Sequence, residues 1–187
     1  MPGTIPIASI VADSAAATGL KWAAPASGGG MTQLGTTTTL SGTSTTINIT
    51  DTGYINLFFV VSGVTSSGAY ADLALRYNGE TTGYYGAIYA DSSTAIQRET
   101  NKTQLDTGMT QSQSSSNTHS LFTFTINNYA QAGYHAIECL KSYFTDTSVQ
   151  RIVKMIGFNS STAAITSVTF LSATTITGGT VKVYGVK

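Results

Sequence analysis

The chain has 187 residues, of which nine are basic and nine acidic, so charged residues make up only 10% and the formal net charge is zero. That balance supplies no basic stripe to neutralise phosphates and no attraction for anionic lipid, which argues against nucleic-acid and membrane-surface partners. Cys139 is the one cysteine, which excludes an intrachain disulfide, and no apolar run reaches the ~18 residues of a spanning helix. A disordered chain is also excluded: 41% hydrophobic content with ten Tyr and seven Phe can build a core. Neutral Thr, Ser, Asn and Gln carry the solubility instead.

Residues 1–30 read as an extended attachment arm and linker. The start, MPGTIP, lacks the basic residues and long apolar run of a signal peptide. Gly19, Pro25 and the triplet Gly28, Gly29 and Gly30 break any helix. Yet this stretch holds Trp22, the only tryptophan, with Leu20 on the same side of an extended chain.

Residues 31–187 read as one β domain. STTINIT alternates, placing Ile47 and Ile49 on one face. In AYADLALRYNGE, Ala71, Leu73, Leu75 and Tyr77 face one way, and Asn78-Gly79 predicts a two-residue hairpin turn. HSLFTFTINN puts Phe122, Phe124 and Ile126 inside. SVTFLSATTITGGTVKVYGVK reads as two strands joined at Gly178-Gly179, with Val168 and Phe170 on the first and Val181 and Val183 on the second. Between them, residues 81–117 are rich in loop formers. No amphipathic helix and no internal repeat appears. About ten or eleven strands predict an all-β fold, an antiparallel two-sheet sandwich of jelly-roll-like form.

Three segments are apolar on both faces: YINLFFVVSG, QRIVKMIGFN and YHAIECLKSYFTD. A sandwich covers one face of each sheet, so the second face needs a β-bulge, an overlying loop or another subunit.

Catalytic groups do not assemble from the sequence. His135 and Cys139 lie four positions apart along a strand, about 13 Å, beyond nucleophile–base reach. His119 stands beside Ser116 and Ser120 with no indicated carboxylate partner. Glu80, Asp91, Glu99 and Asp106 are the candidates for a glycoside-cleaving pair and read as solvated loop carboxylates. No cofactor or metal spacing is present. TTGYYGAIYADSS concentrates Tyr84, Tyr85 and Tyr89, whose rings suit a saccharide, with Asn78, Asn101, Gln111 and Asn117 as polar neighbours.

The stretch ADSAAATGLKWAAPASGGG closely resembles a linker of fibre and appendage proteins of tailed bacteriophages, which joins an N-terminal attachment part to a C-terminal β-sandwich knob. The closing GGTVKVYGVK resembles the last strand of the same knobs. The resemblance covers both ends of the chain and not the central loops. It implies a homotrimer in which Leu20 and Trp22 are buried in a groove on a neighbouring knob or between chains. The motif begins about ten residues after Met1, so the chain resembles a knob with a short anchor rather than a shaft. Residues 1–12 are then expected to dock onto another virion protein through Ile5, Ile7 and Ile10. The expected role is non-enzymatic: a short tail fibre or tip in the virion, touching host-surface glycan. A head fibre or capsid decoration protein, and a free lectin or carbohydrate-cleaving enzyme, remain open at this point.

Overall fold

The computed structural model describes residues 9–12, 20–23, 30–67, 73–91, 95–107, 120–144 and 150–187, with the backbone alone at 9–12, 20–23 and 144. Every regular element among them is a strand: β1 (Ser9–Ala12), β2 (Leu20–Ala23), β3 (Met31–Thr39), β4 (Gly42–Asn48), β5 (Asn56–Ser66), β6 (Leu73–Tyr77), β7 (Tyr84–Ala90), β8 (Gln97–Lys102), β9 (Leu105–Asp106), β10 (Leu121–Ile126), β11 (Ala136–Phe144), β12 (Gln150–Asn159) and β13 (Ser167–Val186). The arm is not featureless: β1 and β2 pair antiparallel, with Ile10 in register with Trp22 and Ala12 with Leu20. Ile5 and Ile7 lie outside the described residues.

The other eleven strands form an antiparallel sandwich whose two sheets run into each other through β13. Residues 167–172 of β13 lie between β4 and β6, with β9 beyond β6. Residues 180–186 lie between β3 and β5, and the sheet continues through β10, β11, β12, β7 and β8. Gly178-Gly179 therefore does not join two strands as expected; it is where one strand bends from sheet to sheet. Gly179 has φ 121°, and a Cβ there would stand 2.9 Å from Val64 Cα, so the bend requires a residue without one.

The turn at Asn78-Gly79 is also real but not a hairpin. Both residues have positive φ, 51° and 72°, and Glu80 N–H donates to Tyr77 O at 2.8 Å. β6 then stays in the small sheet while β7 joins β12 in the large one. The turn changes sheets.

Alternation decides the core. Leu57, Phe59 and Val61 of β5, Phe122, Phe124 and Ile126 of β10, and Val153 and Met155 of β12 point inward, against Leu73 and Leu75 of β6 and Val168 and Phe170 of β13. Phe59 stacks on Phe124 with centroids 4.3 Å apart, and Phe170 approaches both from the opposite sheet, at 6.4 and 5.9 Å. The same period overrides side-chain chemistry in β11. Ile137 and Cys139 are buried, so Leu140 must point outward and Lys141 inward. Lys141 is fully buried, its ammonium 5.6 Å from the Phe122 ring and 5.1 Å from that of Tyr143.

Candidate functional site

The outer face of the large sheet is a grid fixed by register. One row runs Leu121, Ser142, Ile152; the next runs Thr123, Leu140, Lys154, Tyr89; then come Thr125, Glu138, Ile156, Ala87, and finally Ala136, Phe158, Tyr85. Leu121, Leu140, Ile152 and Ile156 are each about half exposed. β11 and β12 pair without a register shift, so no bulge accounts for the double-sided apolar pattern. Lys154 and Glu138 stand diagonally across this grid and bond at 2.6 Å, which cancels their charges. A pair so exposed adds little stability, about 0–1 kcal/mol. Its effect is to neutralise the centre of the apolar field, whose margins carry Arg98 beside Ala87 and Lys182 beside Val60.

One corner of the grid is concave. Phe158 and its cross-strand neighbour Tyr85 stack with centroids 5.3 Å apart and planes 14° from parallel. Tyr134, in the loop before β11, meets Phe158 edge-on at 6.1 Å. With Ala136 and Ser160 these rings line an open apolar hollow of about 530 Å³. Ala136 is opposite Phe158 on β11, and its small side chain leaves the space.

Tyr134 is held by its neighbours. Gly133 N–H donates to Thr162 O at 2.8 Å, and the buried His135 ring sits between Asn127 O (3.3 Å from Nδ1) and Ala163 O (3.1 Å from Nε2), donating to one or the other according to its tautomer. Tyr134 itself remains 69% exposed. On the other side Ser160 N–H donates to Gly83 O at 2.8 Å, and Gly83, at φ 78°, has Ser160 Oγ where a Cβ would go.

The tyrosines expected to share a saccharide surface separate. Tyr84 is fully buried, its hydroxyl accepting from Tyr77 N–H at 2.7 Å, and that burial pushes its pKa to about 12. It lies in the core and not on any surface, because alternation along β7 turns it away from Tyr85. Tyr85 lines the hollow; Tyr89 is exposed on the same face but about 13 Å along the strand. Asn117 lies outside the described residues, as do the side chains of Ile10, Leu20 and Trp22. Phe158 and Tyr134, the hollow's other two rings, were not among the expected contacts. Phe158 was visible only as part of a double-sided strand, and Tyr134 only as an aromatic after Gly133.

Of the four carboxylates, Glu99 and Asp106 come together, while Glu80 and Asp91 flank opposite ends of β7. Burial, then the hydrogen bond and charge of Asp106, push the Glu99 carboxyl up to about 7. Glu99 Oε2 is buried with no hydrogen-bond partner, while Gln104 Nε2 donates to Asp106 Oδ1 at 3.0 Å. Glu99 therefore keeps its proton at mildly acidic pH, where an ordinary glutamate has lost it. Cys139 is buried and its thiol is pushed up to about 12, which suppresses the reactive thiolate; His135 is committed to its two carbonyls. Among the described residues no three His, Cys, Asp or Glu side chains gather as metal ligands. Comparison with protein-family models and with curated proteins found no match for the chain.

Proposed function

We propose that the chain is a non-enzymatic structural protein of a tailed-bacteriophage virion, a homotrimeric appendage subunit that serves as a short tail fibre or tip. The observation that carries this reading is the outer face of the large sheet. Four strands, β10, β11, β12 and β7, at ~4.8 Å spacing and about six residues deep (the three rows from Leu121 to Ile156) offer roughly 400 Å² of mixed apolar surface, about half of what one partner contributes to a standard-sized interface. The Lys154–Glu138 pair at its centre is internally neutral, and the two cations of this face among the described residues, Arg98 beside Ala87 and Lys182 beside Val60, stand at its margins, outside the apolar field. Large, half-exposed Leu and Ile side chains on a regular sheet are costly to leave in water and favour coverage by another copy. The linker-like stretch 12–30 and the closing GGTVKVYGVK supply the virion assignment by resemblance, and residues 1–12 supply the attachment through Ile5, Ile7 and Ile10.

Antibody labelling of intact particles tests the assignment. Label on the tail, lost when residues 1–12 are deleted, supports it. Label on the shell favours a head fibre or decoration protein, and absence from particles removes the virion reading altogether.

A further inference from the structure

We propose that the hollow formed by Tyr85, Tyr134 and Phe158 is a binding site for a neutral saccharide ring. This goes beyond the assembly role: the hollow lies in the terminal row of the outer face, beyond the Leu140 and Ile156 rows assigned to contact between copies, and its failure would leave that role standing.

Three observations converge on it. The rings present their faces and edges around one open hollow of about 530 Å³, within the range of small-molecule sites. The less substituted face of a pyranose carries weakly positive C–H bonds, which are attracted to the negative faces of aromatic rings. Three of the five lining residues, Tyr85, Tyr134 and Ser160, also carry hydroxyls. Ser160 Oγ lies over Gly83, while the Tyr85 and Tyr134 hydroxyls bond to no other described residue and are left for a ligand's own hydroxyls. Finally, among the described residues no charged side chain lines the hollow. An anionic sugar finds no cation there, and a peptide side chain leaves the hydroxyls unused.

The site is preorganised as well as open. Tyr134 is the most exposed of the large hydrophobic side chains among the described residues, yet the residues on both sides of it are pinned. Folding gains nothing evident from holding an exposed ring there. A ligand does gain, because the ring need not be ordered on binding.

The test is nuclear magnetic resonance titration of the full chain with methyl glucoside, methyl galactoside, methyl mannoside and their neutral oligosaccharides. Glucuronate and N-acetylneuraminate serve as anionic controls. Single rings on an open surface bind in the millimolar range, so titration runs to roughly 50 mM. The expected result is saturable shifts at Tyr85, Tyr134 and Phe158 with at least one neutral sugar, about tenfold weaker in Tyr134→Ala. Tyr89→Ala, on the same face but outside the hollow, leaves that affinity unchanged. No saturable shift with any neutral sugar overturns the proposal, as does binding that survives Tyr134→Ala and Tyr85→Ala together in folded protein. So does perturbation of these rings that follows protein concentration rather than sugar, since a second copy would then be the occupant.

Discussion

Asn78 ties the end of β6 to the loop that leads into β13 through a single side chain, and its replacement has a calculable cost. Its Oδ1 accepts from Thr166 N–H at 2.8 Å, Ser167 N–H at 3.2 Å and Thr166 Oγ1 at 3.2 Å, while Nδ2 donates to Ala164 O at 2.9 Å. Removing the amide in Asn78→Ala abolishes four part-exposed bonds, worth together about 2–3 kcal/mol. The backbone sits at φ 51°, where alanine pays about 1 kcal/mol more than asparagine. The sum is about 3–4 kcal/mol. In a domain of this size that lowers Tm by roughly 6–16 °C and shifts the urea midpoint with m unchanged. Asn78→Gly removes the same bonds but tolerates the left-handed backbone, so it is expected to be about 1 kcal/mol milder than alanine. Both are measured by urea and thermal unfolding at one fixed protein concentration, because any self-association adds its own stabilisation. An alanine variant that loses less than about 1 kcal/mol, or a glycine variant no milder, refutes the pinning argument.

Glu99 makes stability depend on pH in a definite direction. Its folded value is near 7, above the 4.5 of an ordinary glutamate, so between those values the folded chain keeps a proton that the unfolded chain releases. Stability therefore falls as pH rises from 4.5 to about 7 and levels off above. The loss is about 1 kcal/mol after allowing for solvent screening of a part-exposed carboxyl. Urea unfolding across that window should show the slope, Glu99→Gln should flatten it, and a slope that persists in the variant would assign it elsewhere. Cys139 should not react with a thiol reagent in the native chain at pH 8 and should label fully in denaturant, given a thiol pushed up to about 12. Rapid stoichiometric labelling of native protein would contradict its place in the core.

Period-two alternation made much of this architecture readable. Phe122, Phe124 and Ile126, or Leu73, Leu75 and Tyr77, announce their inner face without any knowledge of neighbours. What it could not convey is which sheet a strand joins. The backbone of Asn78-Gly79 suits a hairpin, but pairing of β7 with β12 is settled by partners more than sixty residues away in sequence. Gly178-Gly179 looks like a turn because two adjacent glycines usually are one; here the missing Cβ admits the Val64 backbone at a bend. In the aromatic run of β7, composition suggested a surface, while the strand places Tyr84 in the core and Tyr85 outside. The hollow was least legible, since Tyr85, Tyr134 and Phe158 come from three separate segments brought together only by the register of β7, β12 and β11. Lys141 is the opposite lesson: its charge argues for solvent, yet the alternation set by Ile137 and Cys139 carries it inward.

Sedimentation of the purified full chain, compared with a Leu140→Lys, Ile156→Lys double variant, tests most directly whether copies of the chain cover the outer sheet face. Both side chains are exposed, so the variant keeps its fold, which far-ultraviolet circular dichroism verifies. The account predicts three chain masses for the natural sequence and one for the variant. A natural chain that stays monomeric at high concentration, or a variant that still sediments as a trimer, contradicts it.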